Sequence, residues 1–347
     1  MKKIQTITKI AKWASIACFF ILLNTSCNND LNLIEGSKDV PIVYGFLSLN
    51  DTAVYIRVEH AFVDAKTPPA TIAQVADSLY YANAIVTLVR VSNNEKFVLT
   101  RVNGNTEGYV RNDGIFAKAP NYLYKRKTAD LGMRADEQWK ITIQRTGDAK
   151  IVAQATTKVV GDNTITAPQA NAVLVLKYDL VANTSNAFNV RMETMESSAR
   201  AYDVKVIVNY DEVIGSVRTA KTAEWLLASG TIRQAASVQT NFSGRNAKDF
   251  YTFLSNTIPV NTAATRFFKT MDVELTAVGP ELIEAATVGI ANIGITGSQA
   301  IPTYTNVENG LGVFSSRNKT IVKGVKLNSE SLDLLTNGEL TKNLNFR

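Results

Sequence analysis

The chain has 347 residues, 46% of them hydrophobic, with a formal net charge of +6 at pH 7 and a single histidine. This length is enough for two domains of ordinary size. Four lysines and no acidic residue lie among the first 26 residues, so removal of that segment lowers the charge to +2. The rest has no long cluster of lysine and arginine, which excludes a nucleic-acid-binding protein of the usual basic kind.

Residues 1–26 have the three parts of a secretory signal peptide. A lysine-rich start is followed by an apolar run, Ala14–Leu23, and then by the small polar residues Asn24–Ser26. The apolar run is about half of the ~20 residues that a membrane-spanning helix needs. The pattern therefore predicts a cleavable export signal.

Cys27 follows this signal and predicts a lipoprotein. Its sulfur would be diacylated before cleavage and its new amino end acylated afterwards, so that several chains hold the protein firmly on a membrane. Asn24 stands at position −3, where a strict lipobox prefers leucine. An ordinary signal peptide cut nearby and an uncleaved anchor are therefore the alternatives. Asn28 replaces the aspartate that often retains lipoproteins in the inner membrane, so we expect the outer membrane and leave its face open.

The cysteine count limits the chemistry further. Cys18 lies in the predicted signal and Cys27 is the predicted lipid carrier, and these are the two cysteines of the chain. No thiol is left for a disulfide, a metal or a nucleophile. We predict no cofactor and no metal site, although a calcium site built from distant loops stays open.

Residues 41–160 alternate apolar and polar side chains in short segments separated by turns. In Val54–Val58 and in Trp139–Ile143, one face is apolar and the other carries charged or hydroxyl groups. This period of two is typical of strands with one buried face. The sequence therefore predicts a mainly β protein, with a lipidated tether at 27–40 and an immunoglobulin-like or fibronectin-like β-sandwich at 41–160.

The polar, proline-containing segment 161–170 predicts a linker, and 171–347 a second, β-rich α+β domain with a few short helices. One helix is expected at Asn246–Asn256, where the side chains of Phe250, Phe253 and Leu254 share a face. Further helices are expected after Gly279-Pro280 and from Ser329 to a stop at Gly338.

Three stretches together resemble a family of outer-membrane lipoproteins from Bacteroidota that is described only as a domain of unknown function. They are Pro41–Leu47 running into Tyr55–Val58, then Tyr304–Phe314, and the ending Leu332–Phe346. Within them, NGLGVF is the most specific sequence. The resemblance implies an immunoglobulin-like first domain, a mixed second domain, and organisms whose glycan and peptide uptake uses TonB-dependent transporters. It supplies no catalytic residue.

Candidate catalytic groups are few. His60 is the one histidine, and a triad would need it as the base, but no GxSxG motif is present. Neighbouring carboxylates could act as an acid/base pair, as in glycosidases, although surface solvation explains such pairs more simply. The candidate pairs are Glu193 and Glu196, Asp211 and Glu212, and Glu281 and Glu284.

Two further motifs have a functional and a structural interpretation. Asn309–Gly312 could let backbone amides approach a bound group, but we favour a turn or bulge that needs positive φ. Tyr122, Tyr124 and Trp225, with Tyr80 and Tyr81, could form a carbohydrate-stacking platform. Ordinary sheet packing, with Lys125–Lys127 extending to solvent, is the simpler explanation.

We therefore expect a non-enzymatic lipoprotein that is held to the membrane by its lipid anchor. It would serve as an interaction or accessory subunit of a cell-envelope assembly, with an envelope protein as partner and an association with a TonB-dependent transporter. A surface module that binds carbohydrate or peptide is the first alternative, with its ligand unknown. A carboxylate-based hydrolase is the second alternative.

Overall fold

The computed structural model describes residues 40–61, 67–147, 150–194, 198–233, 239–291 and 304–347. The predicted signal 1–26, the lipidated Cys27 and the tether up to residue 39 lie outside the described residues. Glu196 also lies outside them. Among the described residues, no helix is long and apolar enough to cross a membrane.

The first domain is a β-sandwich of two four-stranded sheets. One sheet has the order β1-β2-β6-β5 and the other the order β4-β3-β7-β8. In immunoglobulin nomenclature these are the A-B-E-D and C′-C-F-G sheets, so the predicted immunoglobulin-like fold is confirmed. The strands are β1 (Pro41–Leu47), β2 (Ala53–His60), β3 (Ala84–Arg90), β4 (Glu95–Val98), β5 (Thr100–Asn103), β6 (Tyr122–Lys127), β7 (Gln138–Arg145) and β8 (Ile151–Lys158).

The alternation seen in the sequence forms the first core. Val54, Ile56 and Val58 of β2 are buried between the sheets, and Trp139 of β7 is fully buried opposite them. Arg57 lies on the other face of β2 and pairs with Glu59. One face of each strand therefore supplies the apolar contacts that hold the sandwich together.

Two insertions and one short helix lie between the strands of the first sandwich in the sequence. The segment between β2 and β3 holds α1 (Pro69–Ala73) and a 3₁₀ turn (Ala76–Ser78), and the segment between β5 and β6 begins with a 3₁₀ turn at Gly104–Thr106. A third element, α2 (Thr128–Leu131), follows β6. Leu79, Tyr80 and Ala117 form a small core that joins the two insertions.

The second domain repeats the strand order of the first. A three-stranded sheet, β16-β13-β9, faces the long strands β15-β14-β17-β18, which corresponds to A-B-E opposite C′-C-F-G. Its main strands are β9 (Asn163–Ala167), β13 (Ala187–Thr194), β14 (Ala201–Ile214), β15 (Val217–Ile232), β16 (Gln239–Asn246), β17 (Ala264–Val278) and β18 (Leu311–Leu327). Short bridging strands are β10 (Val173–Leu174), β11 (Tyr178–Asp179) and β12 (Thr184–Ser185).

All three predicted helices of the second half are present. They are α3 (Ala247–Thr257), α4 (Pro280–Ala291) and α5 (Ser329–Asn337), and a 3₁₀ turn at Lys342–Leu344 follows. A capping box between Asn246 and Asp249 begins α3, and Phe250 and Leu254 bury its apolar face. Gly338 ends α5 as expected.

Strand β18 belongs to both domains. Its first six residues, Leu311–Ser316, pair in parallel with β1, and Arg317–Val325 pair antiparallel with β17. The A-B-E-D sheet of the first domain and the C′-C-F-G sheet of the second are therefore one continuous sheet. Phe314 of β18 is buried in the core of the first domain, so the C-terminal domain supplies part of the N-terminal core.

The structural interpretation of Asn309–Gly312 is confirmed. Asn309 has φ +56° and Gly312 has φ +109°. A Cβ atom at Gly312 would lie 2.0 Å from the carbonyl oxygen of Val43 on β1. Glycine is needed here because β18 approaches β1 too closely for any side chain.

The predicted linker 161–170 is largely structured. Residues 163–167 form β9, the first strand of the second sandwich. The Asn318 side chain donates hydrogen bonds to the carbonyl oxygen of Gly161 and to Asp162, both at 2.8 Å, and accepts one from Asn50. The polar residues of this segment therefore contact the junction between the domains, and part of the predicted linker belongs to the second sandwich.

Candidate functional site

The described surface has a groove where the two sandwiches meet. It consists of two adjoining cavities of about 360 and 460 Å³, which share Arg200 and Pro280. Strand β8 of the first domain forms one wall, and α4 of the second forms the other. The apolar part of its lining consists of Ala199, Ile232, Ile283 and Val288.

Two cations stand in this groove without an acidic partner. Lys158 ends β8, and Arg200 immediately precedes β14. The backbone of Arg200 is fixed because its N–H donates to Val278 and its carbonyl accepts from Arg233. Neither side chain forms a salt bridge with a described residue. They can therefore attract an anionic group without first breaking an ion pair.

Glu281 holds the groove together. Its Oε2 accepts hydrogen bonds from Ser315 Oγ at 2.8 Å and from Thr157 Oγ1 at 3.1 Å. These contacts tie the first turn of α4 to β18 and to β8. The carboxylate thus has a positioning role between the domains.

Glu284 lies one helical turn further and is hydrogen-bonded to the hydroxyl of Tyr304. The pKa of the Tyr304 hydroxyl is raised above its ordinary 10, mainly because the side chain is partly buried. The hydrogen bond to Glu284 and the negative charges of Glu284 and Glu281 raise it further. The hydroxyl is therefore protonated at neutral pH. It presents a neutral, half-buried ring beside Glu284.

The pair Asp211 and Glu212 does not form a site. Glu212 accepts from the buried Arg266 at 2.7 Å, whereas Asp211 faces the opposite side of the sheet, 3.5 Å from both Arg218 and Lys269. Glu193 is hydrogen-bonded by Gln239, and its predicted neighbour lies outside the described residues. Elsewhere in the described chain, no group of three His, Cys, Asp or Glu side chains could hold a metal ion.

The predicted stacking platform is corrected by the structure. Trp225 is 7% exposed and packs on Phe188 and Phe250 in the second core, whereas Tyr124 is 4% exposed in the first core. Tyr122 packs edge-on against Tyr80 and lies under the guanidinium of Arg101. Their strand positions turn these rings inward, so they offer no shared exposed face. Sequence alternation could not show which face of β6 or β15 is buried.

His60 has a packing role. Its ring lies 4.9 Å from that of Tyr81, and Nδ1 is 3.2 Å from the carbonyl oxygen of Ala61. Neither contact provides the nucleophile or the orienting carboxylate that a catalytic base requires.

No family model and no curated protein matches this chain. Solved structures do match, and the three described here are of low similarity. A chain of a cytokine receptor complex is 10% identical with a TM-score of 0.20, covering 81% of this chain and 96% of its own. The chicken interferon gamma receptor alpha chain is 8% identical with a TM-score of 0.17, covering 70% and 90%. The calcium-binding domain CBD12 of CALX1.1 is 10% identical with a TM-score of 0.18, covering 82% and 99%.

These scores are too low to carry an argument about this chain. The class follows from the strand order alone. The chain is a β-rich protein of two tandem immunoglobulin-like sandwiches that share one strand.

Proposed function

We propose that this protein is a lipid-anchored outer-membrane lipoprotein that serves as a non-enzymatic interaction or accessory subunit of a cell-envelope assembly. Cys27 would carry the lipid. A TonB-dependent transporter is the kind of partner that the family resemblance implies.

The continuous strand β18 is the observation that supports an interaction role best. About 17 residues of one strand extend through both sandwiches, and at ~3.3 Å per residue they span roughly 56 Å. Such a body holds surfaces of the two domains at a fixed separation. This property suits a subunit that positions a partner more than it suits an enzyme that must close around a substrate.

The entry of the chain determines which end of the body the anchor would hold. Val40 accepts a hydrogen bond from Ala61 beside the first strand, so the tether joins the end of the first sandwich that is remote from the second. The lipid would therefore hold one end of the body near the membrane and leave the second sandwich further away.

Intact-mass analysis of the protein from its native envelope tests the anchor. We expect a chain that begins at Cys27 and carries acyl groups, and we expect Cys27→Ser to abolish processing and membrane partitioning. Copurification from detergent-solubilised envelope tests the role, with the serine variant as the control. An unmodified amino end would contradict the anchor, and recovery of the lipidated protein alone would contradict the subunit role.

The groove favours a specific form of the alternative, a surface module that binds acidic peptides. Lys158 and Arg200 form no salt bridge with a described residue, and they lie beside an apolar wall. Isothermal titration with an acidic tetrapeptide should show binding that falls at least tenfold in Lys158→Ala/Arg200→Ala. Arg317→Ala, a cation outside the groove, is the matched control. Equal affinity in both variants would reject this alternative. The hydrolase receives less support because Glu281 is occupied by two hydroxyl groups.

A further inference from the structure

The end of the first sandwich where the tether enters also carries both insertions. We call this end the anchor end. Strand β1 begins there at Pro41 and β2 ends there at His60, and the N–H of His60 donates to the carbonyl of Leu79 in the first insertion. The second insertion leaves from the same end, because Asn103 of β5 pairs with Tyr122 of β6 there.

Among the large hydrophobic side chains that the insertions expose, we call four aliphatic or phenyl groups the apolar patch. Val75 is 51% exposed, Val110 68%, Ile115 64% and Phe116 38%. Exposed apolar groups clustered in this way mark an interaction surface on a soluble domain.

The apolar patch is held in place from below. Gln74 Nε2 donates to the carbonyl oxygens of Gly114 and Ile115 at 3.1 and 2.8 Å, and Ala117 N–H donates to Ala73 at 2.7 Å. These bonds join the two insertions side by side over their small core. The exposed side chains therefore do not collapse into the domain.

Two ion pairs of the second insertion involve residues next to the apolar patch. The Arg111 guanidinium lies 5.2 Å from the Phe116 ring and is held by Glu59 at 2.7 Å. Lys118 pairs with Asp113, and both are exposed. Apolar and aromatic side chains with cations beside them are typical of surfaces that lie at the headgroup level of a bilayer.

We propose that the apolar patch rests on the lipid bilayer as a second membrane contact beside the acyl anchor. This inference rests on the proposed function, since the anchor brings the patch to the membrane. The tether from Cys27 to Val40 spans at most ~45 Å at ~3.5 Å per residue. It joins the fold at the anchor end, so the acyl anchor would keep this end of the molecule within about 45 Å of the bilayer.

Single-cysteine labelling tests the contact. The mature chain has no free thiol once Cys27 is acylated, so Ile115→Cys can be labelled specifically with an environment-sensitive fluorophore. Val217→Cys is the matched control. It has the same 64% exposure but lies at the turn after β14, at the far end of the second sandwich. Vesicles of phosphatidylethanolamine and phosphatidylglycerol would carry a quencher on their acyl chains.

In the presence of vesicles, we expect the fluorescence emission of the label at 115 to rise at least threefold. We also expect the quencher on the acyl chains to reduce this emission. The label at 217 should behave as it does in solution. If both labels stay solvent-exposed, the proposal is overturned and the apolar patch is assigned to a protein partner.

A second anchoring method separates this proposal from the proposed function. A chain that begins at Asn28 can be held on nickel-chelating vesicles by an amino-terminal hexahistidine in place of the lipid. The described cores are built from residues 43–346 and are retained. Burial of the label at 115 in this form supports the membrane contact of the apolar patch, even if intact-mass analysis of the native protein shows no acyl group. Exposure of the label in this form overturns the proposal even if the native chain is acylated.

Discussion

The two sandwiches have the same strand order but use it differently. Strands of the first are four to eight residues long, and its insertions gather at the anchor end. The four strands of the large sheet in the second are 14 to 17 residues long. The first domain is therefore suited to hold a surface near the tether, and the second extends the body away from it. Their shared strand makes the stability of each depend on the other.

The domains also differ in how they bury charge. In the second, Arg266 is fully buried, and its Nε and Nη2 donate to Glu212 while Nη1 donates to the carbonyl of Leu344. In the corresponding cluster of the first domain Glu59 is also buried, but its partners Arg57 and Arg111 are partly exposed. The second domain thus depends on one buried ion pair to hold its C-terminal segment.

The largest effect is expected for Phe314→Ala. Phe314 lies on the strand of the second domain but fills the core of the first, so we expect the free energy of unfolding to fall by about 4 kcal/mol. Leu311→Ala on the same strand, 40% exposed, should cost less than about 1 kcal/mol. Urea denaturation measures both. Equal costs for the two variants would show that β18 does not complete the first core.

Glu212→Ala should cost about 3 kcal/mol, because it leaves the charge of Arg266 buried without a partner. Asp211→Asn, the next residue, should cost less than about 1 kcal/mol, because its ion pairs reach exposed Arg218 and Lys269. Thermal unfolding compares them. Comparable losses of stability in the two variants would show that burial of Arg266 does not increase the cost of removing its partner.

Gly312→Ala should cost at least about 2 kcal/mol, because the left-handed backbone and the approach to Val43 leave no room for Cβ. Gly114→Ala, where a Cβ meets nothing within 4 Å, is the control and should be neutral. Chemical denaturation measures the free energy of unfolding of both variants. A neutral Gly312→Ala would contradict the close contact between β18 and β1.

Alkaline pH should lower stability through buried tyrosines in both domains. Burial raises the pKa of Tyr81 in the first domain to about 12. Burial also raises the pKa of Tyr251 in the second, whose hydroxyl lies 2.9 Å from the carbonyl oxygens of Leu176 and Ser331. Both folded-state values exceed the ordinary 10, so their contributions are complete below pH 10 and are lost as pH rises through the folded pKa values.

Tyr251→Phe should therefore cost about 1 kcal/mol at pH 8, and the difference from the native chain should narrow above pH 11. Denaturation at the two pH values measures the difference, with Tyr44→Phe, an exposed tyrosine, as the control. A difference that widens with pH would contradict the sign of the Tyr251 shift.

Local patterns in the sequence predicted much of the fold. Alternation at Val54–Val58 predicted a strand with one buried face, and Pro280 and Gly338 marked helix ends. Pairing of Leu311–Ser316 with β1 could not be predicted, because the partners lie about 270 residues apart and strand pairing leaves no local signal. The repeated strand order was missed for the same reason.

The candidate site was only partly visible in the sequence. Glu281 and Glu284 were singled out as neighbours and do line the groove, but Lys158, Arg200 and Tyr304 were not connected with them. These residues come from the end of β8, from the segments that precede β14 and β18, and from α4, and they meet only through the packing of the two domains. Trp225 and Tyr124 were kept as an alternative stacking platform beside the favoured sheet packing, because an aromatic residue on a strand has the same pattern whether it faces a core or solvent.

The central claim, that β18 makes the two sandwiches one cooperative unit, can be tested with the tryptophans. Removal of residues 1–26 leaves Trp139 in the first core and Trp225 in the second. The variants Trp225→Phe and Trp139→Phe then report one domain each by fluorescence, and circular dichroism of the same sample reports both. The shared strand predicts that the two signals change at the same urea concentration in each variant. Separate midpoints within one variant would show that the sandwiches unfold independently and would contradict the account.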